Sequence, residues 1–567
     1  MVPKYRWKIA ERKTKDLKLQ LLYNRGIIKN FKKTKANLEK IDAFLNPNPK
    51  KHLFNPFKLS GIKKALKRIL KAKENNENIG IFADYDADGI PGGVLVYEAL
   101  KKIGFYPFVY IPSRCEGYGF SKKALEFFEK QNVSLIIVID AGIRDFKSIK
   151  EASRKNIDVL VFDHHEPAEK LPKAYAIIDP KKKGEKYPFR ELSGAGVAFK
   201  LVQALSKYSK EIDKEFLKWS LDLIAISVIF DVVPLLSENR VFAKFGLLVL
   251  ENTHRIGLKE LIKIAGLKER KIDAFAVGFI LGPRINAPGR MYKGRVAFDL
   301  LITEDPKEAK RLARILEFAN RERQKETERC ILEAREMVKK RKLFKKKVIL
   351  VESEEWPEGL IGLIASRLKD EFGRPVFVFS KGNERSKGSA RSIDGFQLVE
   401  ILEELDDLII KGGGHPKAAG IEIENNKFEL FYNRLLKLAD AKISNKNLGP
   451  TLNIDAEIDF SEISFSLVNV INKFSPFGMG NPEPLFFSRN VEVLKTRKVG
   501  NNSSHLSFIL GKNGNIFRGI YFNGGENFEK IKINDFIDII YSLRLNEYLG
   551  EPKIELKIED LRTVKNK

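Results

Sequence analysis

The chain has 567 residues, room for three or four domains at roughly 150 residues each, so a small disulfide-stapled scaffold is excluded. Its only cysteines, Cys115 and Cys330, cannot build a disulfide framework or a thiolate zinc cluster, which suits a reducing, cytoplasmic setting. A net charge of +27 suits a polyanionic partner, because cations laid along a phosphate chain release its counterions.

The N-terminal MVPKYRWKIAERKTKDLKLQ has no apolar core, and the longest apolar stretch, near Leu223 to Leu236, is interrupted by Asp231; neither a signal peptide nor a membrane partner is expected. Residues 1–77 read as a basic extension, helical and covering rather than core-forming. From Asn78 the runs NIGIFADYD, PFVYIPS, SLIIVID, IDVLVFDHH and AYAIIDP alternate with amphipathic stretches. That alternation predicts an α/β domain over 78–304, a parallel sheet with helices on both faces. Asp305 as N-cap and Pro306 at the first helical position open a long helix over 305–342. Its polar NRERQKETER section suits a solvent-bridging connector, and some thirty residues would span roughly 45–50 Å. A second α/β unit is expected over 343–445. The remainder, 446–567, carries five β segments with a hairpin signal at Asn513-Gly514, which suggests an OB-like barrel and leaves another small β barrel or sandwich open.

Three predicted strands end in acid: Asp84-Tyr85-Asp86-Ala87-Asp88-Gly89, Asp140-Ala141-Gly142 and Asp163-His164-His165. The carboxyl ends of parallel strands share one rim, where ligands bind. LDLIAISVIF delivers a fourth acid, Asp231. So many carboxylates and two imidazoles in one cleft would repel each other severely unless cations neutralised them. Oxygen-rich ligation with imidazole suits Mn²⁺, with Mg²⁺ as competitor. Two such ions roughly 3.5–4 Å apart would clamp the attacking and leaving oxygens of a phosphoryl displacement, so hydrolysis of a phosphate ester is the expected chemistry.

DYDADG, IDAG, DHH and FDVVPL, in this order, resemble the motifs of the DHH phosphoesterase superfamily. PSRCEGYG, ELSGAGVAFKL, INAPGRM, NRERQ, WPEGLIGLIASRL, GSARSIDGF, GGGHPKAAG and FSPFGMGNPEPLF narrow the resemblance to the RecJ family of exonucleases specific for single-stranded DNA, from about Asn78 to Phe487. The resemblance implies that Asp86, Asp88, Asp140, His164 and Asp231 hold two metal ions. It makes Asp84 and Asp163 acids that orient ligands, with Asp84 able to approach one ion, and sets His165 beside the scissile phosphate. Ser389, Arg391 and His415 would meet the 5′-phosphate, the glycines of Gly412-Gly413-Gly414 letting backbone N–H groups approach closely from a loop, with Arg114 and Arg290 reaching in from the first domain.

The implied activity is 5′→3′ hydrolysis of single-stranded DNA to 5′-mononucleotides in recombination and repair. Expected partners are the strand itself, a single-strand-binding protein and repair helicases. A DHH-type hydrolase of short oligoribonucleotides and a catalytically silent replication factor are the rival readings. This sequence departs from the family pattern at Ile90-Pro91-Gly92-Gly93 and at Ser227-Val228, without losing a ligand position.

Overall fold

The structure is a computed structural model and describes residues 4–113, 116–291, 294–444, 448–546 and 550–564. The chain divides into two compact units, one of Lys32–Arg323 with Lys473–Pro482, the other of Met1–Phe31, Gln324–Asn472 and Glu483–Lys567. The extension read as one basic arm is therefore split between them. Its first strand, β1 (Arg6–Ile9), belongs to the second unit.

The first unit is built on β2 (Asn78–Ala83), β3 (Phe108–Tyr110), β4 (Val133–Ile139), β5 (Asp158–Phe162) and β6 (Ala176–Ile178), all parallel in the order β3-β2-β4-β5-β6. These are the five apolar runs of the sequence, unbroken because both faces are covered. Successive side chains serve opposite cores: Ile79, Ile81, Ile137, Ile139 and Phe162 point into one, and Phe82, Ile136, Val138 and Val161 into the other. The helices Gly89–Lys102, Gly194–Leu205 and Leu221–Phe230 pack on the first face, and Lys122–Lys130 and Phe146–Arg154 on the second. The helix Ile62–Glu74 corrects the expectation of a mere covering arm. It buries Ala65, Leu66, Ile69 and Ala72 in the larger core, while its lysines stay outside.

The helix Pro306–Lys340 has 35 residues, about 52 Å at 1.5 Å per residue. Asp305 Oδ1 accepts the N–H of Lys307 at 2.9 Å, capping it as expected. Leu312, Ala313 and Leu316 serve the core of the first unit, and Cys330, Ala334 and Val338 a core of the second.

In the second unit a mixed sheet has the order β10-β11-β9-β8-β7, with β7 (Ile349–Ser353), β8 (Val376–Lys381), β9 (Arg385–Arg391), β10 (Lys411–His415) and β11 (Ala418–Glu424); only β7 and β8 are parallel. Two short strands follow, β12 (Thr451–Ile454) and β13 (Ala456–Glu457). Then β14 (Phe486–Val499), β15 (His505–Lys512), β16 (Asn515–Tyr521), β17 (Phe536–Asn546) and β18 (Lys553–Thr563) close a five-stranded barrel, because β14 pairs with both β15 and β17. Register breaks at Ser488/Val491 and Val493/Lys495 give β14 the bend this needs. Asn513 and Gly514, at φ 50° and 76°, form the tight turn between β15 and β16 that their sequence announced.

β1 pairs in parallel with β12, Arg6 opposite Thr451. Asp560 on β18 fastens this end by accepting the N–H groups of Lys4 and Tyr5 and the indole N–H of Trp7. Among the described residues no helix is long and apolar enough to cross a membrane.

Candidate metal centre

β2, β4 and β5 end at Ala83, Ile139 and Phe162, so Asp84, Asp140 and Asp163 are the first residues beyond three adjacent strands. The backbone then turns sharply. Gly89 folds so closely over Asp84 that a Cβ there would sit 2.6 Å from the Asp84 carbonyl oxygen. Asp86 Oδ1 accepts the N–H groups of Asp88 and Gly89, both at 2.9 Å. Asp88 is anchored by two other helices, Gly194–Leu205 and Leu221–Phe230: Oδ2 accepts Gly194 N–H at 2.7 Å, and Oδ1 accepts Ala195 N–H at 2.8 Å and the Ser227 hydroxyl at 2.6 Å. Asp140 has φ 58°, a left-handed conformation that costs an L residue about 1 kcal/mol and here aims a carboxylate at the rim. Asp231 arrives from a helix, as C-cap of Leu221–Phe230.

His164 is buried with Nε2 at 3.3 Å from Asp140, 3.5 Å from Asp88 and 3.6 Å from Asp231. Burial, followed by the charge on His165, pushes its pKa down to about 4, which leaves the neutral imidazole that ligates metals. Asp163 is taken up by hydrogen bonds. Its Oδ1 accepts the N–H groups of His164 and His165 and the His165 ring at 2.8 Å, and its Oδ2 accepts Ile143 N–H. Burial alone would raise the Asp163 carboxyl, yet these hydrogen bonds and the charge of His165 outweigh it and hold it well below the usual range. The reciprocal effect overcomes burial at His165 and lifts it to about 9, so this imidazole is cationic at neutral pH.

Three donor groups, each with its ligand atoms within 4.8 Å of one another, emerge: Asp84, Asp86 and Asp140; Asp88, His164 and Asp231; and Asp140 with His164 and His165. Burial, then mutual repulsion, raises the Asp86, Asp140 and Asp231 carboxyls. Asp140 Oδ1 and His164 Nδ1 are buried without a hydrogen-bond partner among the described residues. Hard oxygen donors crowded at this energetic cost, with a neutral imidazole among them, fit divalent cations. Asp84, expected to orient ligands or to approach one ion itself, stands within a donor group.

The sequence reading missed Tyr118. Its hydroxyl donates to the Asp140 carbonyl at 3.0 Å and lies 2.9 Å from His165 Nδ1. It stands in PSRCEGYG, so the string carried the signal, although only Arg114 was drawn from it. Arg114 and the side chain of Arg290 lie outside the described residues.

In the second unit, Ser389 and Arg391 share one face of β9, and Arg391 donates to Ser389 at 3.2 Å and Ser366 at 3.1 Å. Gly412–Gly414 is not a loop but part of β10, the edge strand of the sheet among the described residues. Arg391, Ala418 and His415 lie in one row across the sheet, and Ser389, Gly420 and Gly413 in the row two residues along, on the same face. A Cβ on Gly413 or Gly420 would meet nothing within 4 Å, so Ser389, Arg391 and His415 border a bare shelf. Gly362, in the first turn of the helix Ile361–Phe372, closes its other side. A Cβ there would come within 3.2 Å of both Ser389 Oγ and Arg391 Nη2.

Residues 78–228 match the DHH family N-terminal domain, 345–445 the DHHA1 domain and 454–560 the RecJ OB domain. The single-stranded-DNA-specific exonuclease RecJ of Haemophilus influenzae is 31% identical over 535 residues, 91% of this chain and 92% of that protein. The chain belongs to the RecJ family. RecJ of Bacillus subtilis is 38% identical over 89% of this chain, which spans 64% of that relative's length. The crystal structure of RecJ in complex with Mn²⁺ from Thermus thermophilus superposes with a TM-score of 0.81 at 25% identity, covering 99% of this chain and 80% of that one. A structure of exonuclease RecJ bound to manganese gives 0.57 at 30% identity over 68% and 96%.

Proposed function

We propose that this RecJ-family chain is a metal-dependent exonuclease that hydrolyses single-stranded DNA from the 5′ end. The observation that carries the reading is the convergence of Asp84, Asp86, Asp88, Asp140, His164 and Asp231 in donor groups that share Asp140 and His164. Two ions are the natural complement, one toward Asp84, Asp86 and Asp140, the other toward Asp88, His164 and Asp231. Bound divalent cations would supply a nucleophilic water and neutralise charge on the phosphate.

The chain's own residues do the rest. Asp163 keeps His165 protonated and fixed, so that its ring donates to a phosphate oxygen as negative charge develops. Tyr118 braces Asp140 and His165 together. Water adds to phosphorus as the O3′–P bond breaks. The terminal nucleotide leaves with a 3′-hydroxyl, and the shortened strand keeps a 5′-phosphate. That new terminus is again suited to Ser389, Arg391 and His415, whose shelf adjoins the first turn of a helix without a side-chain cap. Arg114 and Arg290 keep the substrate-binding role that the resemblance implies, and the barrel is assigned to holding the following strand by charge and stacking. Recombination and repair, with a single-strand-binding protein as partner, is the setting this reading implies.

The test uses 5′-labelled and 3′-labelled strands with Mn²⁺ and with chelator. Mononucleotide release from the 5′ label only, abolished by chelator and by Asp140→Ala, is expected. Wild-type turnover by Asp140→Ala would reject the assignment.

A further inference from the structure

The first unit holds a cavity of about 580 Å³ away from the acidic rim, a volume typical of small-molecule sites. Two helices tie it to the metal centre and fix their separation. Gly89–Lys102 begins beside Asp88 and ends with Lys101 and Lys102 on the cavity wall, roughly 20 Å along its axis. Leu221–Phe230 runs from Asp222 at the cavity to Asp231 at the rim.

The lining combines aromatic rings with lysines. Trp219 and His254 are stacked, their centroids 3.6 Å apart and their planes 28° from parallel, with Phe216 and Tyr97 beside them. Lys102 Nζ lies 5.5 Å from the Phe216 ring and Lys218 Nζ 5.0 Å from the Trp219 ring. Of the acids present, Glu98 and Asp222 are both engaged by Arg255, which grips Glu98 with two nitrogens and Asp222 with Nε. Glu304 is the remaining acid of the lining. Lys101 and Lys102 form no ion pair among the described residues and are exposed.

We propose that this cavity binds a nucleoside monophosphate, its base against the Trp219–His254 ring pair and its phosphate on Lys101 and Lys102. Stacking platforms beside cations are the chemistry by which proteins hold nucleotides without reading sequence. A purely apolar ligand would leave the lysines unused, and a bare anion the rings. Mononucleotides are also the product class of the proposed exonuclease, so the choice of ligand rests in part on that reading, whereas the cavity's chemistry does not.

The experiment titrates dAMP into the full chain in chelator, on a Ser389→Ala/Arg391→Ala background that disables the candidate terminal-phosphate shelf. Calorimetry and tryptophan emission are the readouts. Saturable binding with a Kd below about 1 mM and quenched emission are expected. Lys101→Glu/Lys102→Glu should weaken binding about tenfold or more, Trp219→Ala should remove the quenching, and equal inorganic phosphate should not compete. No saturation by about 10 mM in a chain whose far-ultraviolet dichroism is native, or affinity indifferent to the lysine reversal, overturns the proposal. If the double variant binds dAMP in this way while the wild-type chain with Mn²⁺ cleaves no DNA, the site is retained and the exonuclease reading is lost. Cleavage by the wild-type chain beside a double variant that ignores dAMP would do the reverse.

Discussion

The Ser227 hydroxyl donates to Asp88 Oδ1 at 2.6 Å, joining the helix that ends at Asp231 to the turn that follows β2. Ser193 in turn contacts Ser227 at 2.6 Å, so the carboxylate is held by a small buried hydroxyl chain. Groups that orient a ligand typically contribute 10–100-fold to metal affinity. Ser227→Ala is expected to weaken Mn²⁺ binding by about that factor, read by calorimetry, with Ser227→Thr restoring most of it. An unchanged Ser227→Ala affinity would mean that the two backbone N–H groups suffice.

Gly194 faces Asp140 with no room for a methyl group. A Cβ there would lie 2.6 Å from Oδ1 and 2.7 Å from Cβ and Cγ of Asp140. Gly194→Ala should therefore push this carboxylate off the rim and lower cleavage by about 100-fold or more, since misplacement near 1 Å is enough for such a loss. Gly278→Ala is the control. Only Ile229 Cγ2 comes near its Cβ, at 3.8 Å, and activity should remain close to wild type.

Asp145 gives the chain a pH signature separate from the metal ligands. Burial, and secondarily the charge of Asp163, lifts its carboxyl from 3.8 to about 6 against the pull of the Phe120 N–H. The folded state thus holds this proton more tightly than the unfolded one. The stabilisation is complete below pH 3.8 and is lost as pH rises through about 6. Asp145→Asn keeps an acceptor for Phe120 and does not titrate. Denaturation midpoints of variant and wild type should diverge in the variant's favour between pH 4 and 6 and run parallel above. A constant gap over that window would show an ordinary carboxyl.

Asp560 carries the pairing of the two chain ends. It is 1% exposed and accepts from Lys4, Tyr5 and Trp7. Asp560→Ala leaves those donors without their shared acceptor and should lower stability by about 2–3 kcal/mol, measured by urea unfolding. Removing residues through Arg12, which also pairs with Glu462 at 2.6 Å, should produce a similar loss. Full stability after either change would show that β1 only decorates the unit.

Much of this architecture is written locally. The runs from Asn78 to Ile178 are short and apolar, and four of the five close on an aspartate, so those strands and their acidic ends could be placed without knowing their partners. The barrel strands and the Asn513-Gly514 turn were legible for the same reason. What escaped depends on distant partners. Nothing near Arg6–Ile9 announces Thr451–Ile454, and the lysines of Ile62–Glu74 mask a buried stripe seen only once the sheet lies beneath it. Glycines at 412–414 speak for a loop until β11 pairs with them. Tyr118 reaches Asp140 and His165 through a turn whose direction no spacing encodes. Ser227, a departure from the family pattern on paper, proves to be a support of Asp88.

The pairing of β1 with β12 also sets a schedule. Arg6 must find Thr451, made 445 residues later. A ribosome adding about 5–20 residues per second leaves the nascent strand alone for on the order of 20–90 s. During that interval its backbone groups are open to water and to neighbouring chains, and its basic, lysine-rich sequence is what keeps so exposed an edge soluble until the partner emerges.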